Sequence, residues 1–296
     1  MELRIQNLSK TYPNGVRALR DVSLTIPNGM FGLLGPNGAG KSSLMRTIAT
    51  LQEPDAGSIT LGDIDVLRDK DRVRQVLGYL PQEFGLYPGI SAEALLDYFA
   101  SLKGLRDPAE RRAAVESLLH QTNLWSARKK AVGGYSGGMK QRFGIAVALL
   151  GSPQLIIVDE PTAGLDPTER NRFLDLLSEI GENVVVILST HIVEDVTELC
   201  PQMAIIAQGE VVATGSPQDV IGEIRGKVYR TKTEKAALAE LRAQHEVISS
   251  KLVAGQPIVR VFSEQPINGQ FQPAEATLED VYFYRLAQRE RTAEAS

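Results

Sequence analysis

Eight consecutive residues, Gly35-Pro36-Asn37-Gly38-Ala39-Gly40-Lys41-Ser42, carry the sharpest chemical signal in the chain. They fit G-x-x-x-x-G-K-[ST], a loop that cradles phosphate when an apolar strand precedes it and a helix follows. Both flanks are present: Met30 to Leu34 is apolar, and Ser43 to Ala49 can continue as a helix. Glycines let consecutive backbone N–H groups converge on phosphate oxygens, and the helix N-terminus, with Ser43 in it, adds favourable potential for anions. Lys41 brings a positive charge to the β- and γ-phosphates of a nucleotide, and the Ser42 hydroxyl is a hard oxygen ligand suited to magnesium.

A second constellation lies far downstream. Leu155 to Val158 is an apolar run that ends in Asp159 and Glu160. A buried strand does not tolerate charges in its middle, but at its C-terminal edge they face the crevice where α/β sheets bind ligands. Successive strand side chains point opposite ways, so the two acids can do different work. Asp159 is assigned to the magnesium shell, through water. Glu160 is assigned to orient and deprotonate an attacking water, a contribution of about 10²–10⁴ in rate. Alone, such a pair also fits a solvated acidic turn after a strand; the upstream phosphate loop favours the chemical reading.

The elements that must position these residues read as an α/β domain. Strand-like and helical patterns alternate from residue 1 to about 220, which predicts a P-loop NTPase core with a mostly parallel sheet. Segments 2–8 and 20–26 flank a turn at Pro13-Asn14-Gly15, which predicts an antiparallel β piece at the N-terminus. Helical patterning covers 91–124, with Asp107-Pro108 and Glu110 as cap, first-turn proline and third-position acid. Further helices are expected over Met139 to Leu150 and after Asp166-Pro167, and a buried strand over Val184 to Leu188. Composition shifts near Gly222 to Gly226. Beyond it come a polar helix (Glu234 to Gln244), strands at Val247 to Val253 and Ile258 to Phe262, and a last helix opened by Thr277-x-x-Asp280. The expected division is an ATP-binding domain over 1–222, with a helical subdomain at about 84–150, and a small α+β accessory domain over 223–296.

Bulk properties remove several classes. A net charge of −4 lacks the basic footprint of a nucleic-acid binder. One cysteine, Cys200, excludes an intramolecular disulfide and fits a reducing compartment. The start, MELRIQNLSK, has charges at once and no apolar segment, so no secretory signal is expected. No run reaches the roughly 18 apolar residues of a membrane helix, so a soluble chain is expected.

The segment Tyr135-Ser136-Gly137-Gly138-Met139-Lys140-Gln141-Arg142 resembles the signature of ABC ATPases, and the motifs of residues 1 to about 220 come in that family's order. Ser136 can cap the helix that follows, while Gly137 and Gly138 offer unhindered N–H groups. The resemblance implies that this surface meets the γ-phosphate held by an opposite subunit, in a head-to-tail dimer sandwiching two ATP molecules. Tyr135 departs from the family, where leucine is more typical. By the same resemblance Tyr12 matches the aromatic that stacks on adenine, although a strand tyrosine also serves as plain packing. Gln82, in Tyr79-Leu80-Pro81-Gln82, matches the glutamine that reaches metal and water. Asp166 matches the loop that crosses the dimer interface, beside its own role as a helix cap, and Ala163 stands where many relatives have serine. His191, after Ser189-Thr190, matches the histidine that contacts the γ-phosphate. His120 and His245 receive no role, and Cys200 and Trp125 are read as packing.

The resemblance therefore implies an ATP-hydrolysing subunit, with ATP and Mg2+ as cofactors, that drives separate transmembrane permease subunits. Its place would be peripheral, at the cytoplasmic face of the membrane. One phosphate loop and one signature make half an engine, so a second ATP-binding subunit is required, either another copy or a paralogue. Segment 84–132, with Phe84, Leu86, Tyr87 and Pro88 near its start, would receive the permease. The stretch Tyr79 to Phe99 and the ending Leu278-Glu-Asp-Val-Tyr-Phe resemble the drug, polysaccharide and sodium efflux branch, which implies export. The rival is a soluble ABC ATPase acting on ribosomes or nucleic acid. Two cassettes in one chain or long coiled-coil interruptions would mark it, and the sequence has neither; no nucleic-acid partner is expected.

Overall fold

A computed structural model of the chain describes residues 1–296 apart from 83, 84, 86, 182, 183, 268, 295 and 296. It opens with the strands β1 (Glu2–Thr11) and β2 (Arg17–Pro27), paired antiparallel around the expected turn. Their alternation sends Leu3, Ile5, Val22, Leu24 and Ile26 inward and charged residues such as Glu2 and Arg4 outward. The apolar strand β3 (Gly29–Leu34) then runs into the glycine-rich loop and helix α1 (Lys41–Ile48). Lys41 and Ser42 therefore belong to the first helical turn, two residues earlier than the sequence indicates.

Four short elements follow: β4 (Ala56–Leu61), β5 (Ile64–Asp65), α2 (Lys70–Val76) and β6 (Leu77–Leu80). The helical stretch resolves into α3 (Ala92–Leu102) and α4 (Pro108–Gln121), and α5 (Gly137–Ala148) comes after two 3₁₀ turns. Asp107 Oδ1 accepts from Ala109 and Glu110 N–H at 2.9 and 2.8 Å, as the Asp-Pro pattern predicts. Helix α5 begins two residues before the expected Met139. Ser136 caps it and holds both weakly helical glycines in the first turn, where tertiary packing outweighs propensity.

The second half continues with β7 (Leu155–Asp159), α6 (Pro167–Ile180), β8 (Val185–Thr190), α7 (Val193–Leu199), β9 (Gln202–Ala207), β10 (Glu210–Gly215) and α8 (Pro217–Gly222). Last come β11 (Val228–Lys232), α9 (Leu238–Gln244), β12 (Glu246–Val253), β13 (Gln256–Phe262), β14 (Gln272–Pro273) and α10 (Leu278–Glu294). The polar helix expected from Glu234 is α9, preceded by a 3₁₀ turn at Lys235–Ala237.

Among the described residues the strands form three sheets: β2-β1-β4-β5, β10-β9-β3-β8-β7-β6 and β12-β13-β11-β14. In the central one, β9, β3, β8, β7 and β6 run parallel and β10 closes the edge antiparallel. Side chains of its buried strands alternate between two cores. Phe31, Leu33, Leu155, Ile157, Val185 and Ile187 meet the N-terminal sheet and α1, while Leu34, Ile156, Val158, Val186 and Leu188 meet α5, α6 and α7. Each such side chain, fully buried, stabilises by about 1.5–3 kcal/mol, so a charge can enter these strands only at their ends.

Helices α3, α4 and α5 enclose a core of their own, including Leu95, Leu96, Leu119 and Phe143. The third sheet is not detached from the rest. Ile248, Phe262, Leu278, Val281 and Tyr284 join the same buried cluster as Met30 and Val196. At the start of α10, Thr277 Oγ1 and Asp280 reciprocate as the expected capping box, and Arg260 grips the buried Asp280 carboxylate through Nε at 2.5 Å and Nη2 at 2.7 Å. No helix among the described residues is long and apolar enough to cross a membrane.

Candidate active site

Four neighbouring parallel strands end at one place. The glycine-rich loop leaves β3, Thr190-His191 leaves β8, Asp159-Glu160 closes β7, and Pro81-Gln82 follows β6. That common edge is the crevice where open α/β sheets bind ligands. A cavity of about 240 Å³ lies there, lined by Tyr12, Pro36, Asn37, Gly38, Gly40, Lys41, Ser42, Ser43, Gln82 and Glu160, with Val16 and Ala18 of the N-terminal sheet. Larger cavities of about 480 Å³ lie on the C-terminal sheet, but the smaller one holds the convergent polar groups, which decide chemistry where volume does not.

The loop is built for an anion. Gly38 and Gly40 have φ of +80° and +109°, conformations that side chains resist, and they turn the backbone into α1. No side chain caps α1, and no acid occupies its first turn. By contrast, α3, α4, α5, α6 and α8 are closed by Ser91, Asp107, Ser136, Asp166 and Ser216. The initial N–H groups of α1 thus have no intrahelical acceptor and face the cavity, as phosphate binding requires. Gly35 sits beneath, where a Cβ would come within 2.5 Å of Ile206 O, and Ala39 is buried against the loop.

Lys41 is only 5% exposed. Its Nζ donates to Gly35 O at 2.6 Å and Pro36 O at 3.2 Å, and lies 3.2 Å from Glu160 Oε1. The other Glu160 oxygen, Oε2, contacts His191 Nδ1. An ionised carboxylate only accepts, so this contact puts a proton on Nδ1 and leaves Nε2 for another partner. Glu160 itself has φ +50°, and its N–H donates to Ser189 O at 2.8 Å. A non-glycine residue held there costs about 1–2 kcal/mol; the strand end thereby turns the carboxylate toward Lys41 and His191 while Asp159 stays beneath.

Asp159 is 3% exposed. Burial lifts its carboxyl above the usual range; the Ser189 hydroxyl opposes this, the Glu160 charge adds to it, and Lys41 and the Ser42 hydroxyl oppose it further. Neither hydroxyl closes a well-formed hydrogen bond on Asp159 Oδ1, which is buried and unpartnered, as is Ser189 Oγ. A buried carboxylate oxygen lacking a donor, beside Ser42, is the chemistry a small divalent cation satisfies. No cluster of three or more His, Cys, Asp or Glu suited to a metal occurs among the described residues. Magnesium needs none, since it takes one or two protein oxygens together with phosphates and water. The site fits magnesium.

The Tyr12 ring borders the cavity, and its hydroxyl is hydrogen-bonded to Ser43 Oγ and Gln52 Oε1, each at 3.0 Å. Ser136, Gly137, Gly138 and Asp166 do not line this cavity. Ser136 Oγ accepts from Met139 N–H at 3.2 Å, and Asp166 Oδ1 accepts from Glu169 N–H at 2.9 Å, its cap role. Gly138 is steric: a Cβ there would lie 2.2 Å from Glu169 Oε2, which itself accepts from Arg142 Nη1 at 2.6 Å. The structure thus gathers Tyr12, the 35–43 loop, Gln82, Asp159, Glu160 and His191, and leaves the 136–138 segment and Asp166 together on another surface, beside the start of α6. Tyr135 is buried at 5% exposure, and its hydroxyl donates to Ala127 O at 3.0 Å.

Sequence reasoning missed Val16, Ala18, Gln52 and Ser189. Ser189, two residues before His191 at a strand end, had a readable position; Gln52 touches Tyr12 across forty residues and had none. Phe84 and Leu86, expected on the permease-facing surface, lie outside the described residues, while Tyr87 is 59% exposed. His120 stacks on Trp125 and Arg128 covers the same indole. Burial pushes the Cys200 thiol up to about 12, which makes it inert.

Residues 19–163 match the ABC transporter family. The chain is 36% identical to the Linearmycin resistance ATP-binding protein LnrL of Bacillus subtilis, over 76% of this chain and 72% of that protein. It is 33% identical to the uncharacterized ABC transporter ATP-binding protein YxlF of the same organism, over 95% of this chain and 98% of that one. Among solved structures, a dimeric post-hydrolysis state of an ATP-binding cassette bound to ADP and Pi superposes with a TM-score of 0.66 at 27% identity, covering 72% of this chain and 98% of that one.

Proposed function

This chain belongs to the ABC transporter family of ATP-binding proteins, and on that premise we propose how its residues divide the work. The chain is an ATPase that powers transport by separate permease subunits. The observation that carries the assignment of roles is the convergence of Lys41, Glu160 and His191 at one edge of the central sheet.

The phosphates of ATP take the open N-terminus of α1, with Lys41 on the β- and γ-phosphates and the Tyr12 ring against adenine. Ser42, Asp159 and Gln82 would hold magnesium, Asp159 through water, and the cation would supply positive charge against the phosphates. Glu160 accepts a proton from water as its oxygen attacks the γ-phosphorus. The bond from that phosphorus to the β,γ-bridging oxygen breaks, leaving ADP and inorganic phosphate. His191 holds the Glu160 carboxylate in place and offers its second nitrogen toward the γ-phosphate.

Ser136, Gly137, Gly138 and Asp166 act on the nucleotide of a second ATP-binding subunit, another copy or a paralogue. Their absence from the lining of the chain's own cavity supports this reading. Residues 1–222 form the ATP-binding domain, with the helical subdomain at about 84–150, and residues 223–296 the accessory domain. The exposed Tyr87, Ile90, Tyr98 and Leu102 on the helical subdomain support it as the permease-facing surface. The chain works at the cytoplasmic face of the membrane as a peripheral subunit. Export is favoured by the efflux-type segments and by a relative named for linearmycin resistance. The test is phosphate release by the purified chain with ATP and magnesium. Wild type turns over, and Lys41→Ala loses both turnover and nucleotide binding; unchanged turnover in that variant sinks the assignment.

A further inference from the structure

Among the described residues the least exposed charged side chain is Asp195, at 0%. Asp195 lies in the first turn of α7, four residues after His191. Its Oδ2 accepts from Thr162 Oγ1 at 2.6 Å, and its Oδ1 accepts from Arg170 Nε at 2.7 Å, with Nη2 in ion-pair contact at 2.6 Å but closing no hydrogen bond. Thr162 is 3% exposed and sits two residues after Glu160; Arg170 belongs to α6 and follows Glu169, which braces Gly138 and Arg142 of the signature helix. One carboxylate thus joins three elements that carry separate parts of the site. These are the segment following Glu160, the helix supporting the signature, and the helix following His191.

We propose that Asp195 is a positioning residue for hydrolysis, whose carboxylate holds the 160–166 loop and α6 in register with α7 so that Glu160 and His191 keep their mutual geometry. This rests on the roles proposed for Glu160 and His191. Two features of the cluster support a positional role over simple packing. A carboxylate and a guanidinium gain little over well-packed apolar residues as a buried pair, so stability alone does not account for the cluster. The carboxylate, moreover, stands on the helix that follows His191 and takes a donor, Thr162, from the segment that follows Glu160, and these are the two segments whose relative placement sets the reacting groups. Glu160 also occupies a left-handed backbone conformation that its surroundings must enforce, and Thr162 is the nearest residue tied to a buried charge beyond it. Asp195 is fully buried and does not line the cavity; it acts through Thr162 and Arg170.

The test uses the full chain and separates rate from binding. Asp195→Asn, Thr162→Val, Thr162→Ser and the double variant Thr162→Val/Asp195→Asn are assayed for kcat, KM for ATP, ADP affinity and unfolding temperature. Asp195→Asn and Thr162→Val are expected to lower kcat about ten- to hundred-fold, the effect of small misplacement, with KM and ADP affinity within about twofold of wild type. Thr162→Ser, which keeps the hydroxyl, restores most of what Thr162→Val loses. The double variant is no slower than the slower single variant, because both act through one contact. The proposal is overturned if kcat stays within twofold of wild type, if KM and ADP affinity worsen in step with kcat, or if the two substitutions multiply. If Asp195→Asn does not fold, the Thr162 pair carries the same test. Glu160→Gln runs in parallel. Wild-type turnover there refutes the role of Glu160, whereas an inactive Glu160→Gln beside a fully active Asp195→Asn refutes only the proposal. If the wild type has no measurable turnover, the readout becomes ATP-driven dimer formation in the Glu160→Gln background. Asp195→Asn is then expected to weaken it at least tenfold, and an unchanged dimer overturns the proposal.

Discussion

Lys41 Nζ donates to Gly35 O and Pro36 O and lies 3.2 Å from Glu160 Oε1 as an ion pair. A phosphate oxygen that engages Lys41 competes with the Glu160 carboxylate, the one of these three partners whose loss leaves the loop intact. Glu160→Gln should therefore tighten binding of ADP, which has no γ-phosphate and reports on the single chain. With an effective dielectric near 20, a pair at that separation attracts by about 5 kcal/mol. The phosphate recovers most of this, and the glutamine carbonyl still accepts a neutral hydrogen bond. A net gain of about 1–2 kcal/mol remains, roughly a 5–30-fold lower Kd. Removing a carboxylate beside an incoming anion acts in the same direction. Calorimetric titration of wild type and Glu160→Gln with ADP and magnesium measures it. Equal affinities would refute the competition between Glu160 and phosphate for Lys41.

Three further outcomes follow from named contacts. Burial raises the Asp159 carboxyl above its ordinary 3.8, so its ionised form opposes folding: stability falls as pH rises from about 4 through the raised folded value and then levels off. Asp159→Asn should lack this component and raise Tm at neutral pH, while losing magnesium-dependent turnover; scanning calorimetry against pH with a phosphate assay checks both. Tyr135→Phe removes the hydroxyl's hydrogen bond to Ala127 O, which keeps only its bond from Lys130 N–H, costs about 1 kcal/mol and should weaken ATP-driven dimerisation with ADP affinity unchanged, as mass measurement and titration would report. Asp107→Ala removes a cap from α4, lowers stability by about 1 kcal/mol and leaves ADP binding untouched, which denaturant unfolding and the same titration would test.

What was legible in the sequence was local. The phosphate loop, the acids at the end of β7 and the Asp107-Pro108 and Thr277-x-x-Asp280 caps each lie within a few residues, where spacing alone fixes geometry. Long apolar runs such as Leu155 to Val158 also announce their strands, because only a doubly covered strand tolerates them. The start of α5 was misplaced by two residues because Gly137 and Gly138 argue against helix while the Ser136 cap and the packing of Gly138 against Glu169 argue for it. Contacts between distant segments left no such trace. Nothing in the spacing links Thr162, Arg170 and Asp195, Gln52 with Tyr12, or Val281 of α10 with the central sheet. These pairings exist only once the parallel strands set their neighbours side by side.

The most direct test of the proposed machinery is the apparent mass of Glu160→Gln in magnesium with ATP and, separately, with ADP, alongside its turnover. The proposed roles predict turnover far below wild type, and a doubled mass with ATP but not ADP, because the γ-phosphate joins the 35–43 loop of one copy to Ser136 and Gly137 of another. Turnover at the wild-type rate would contradict the role of Glu160, and a mass unmoved by ATP would contradict a sandwich built from two copies of this chain.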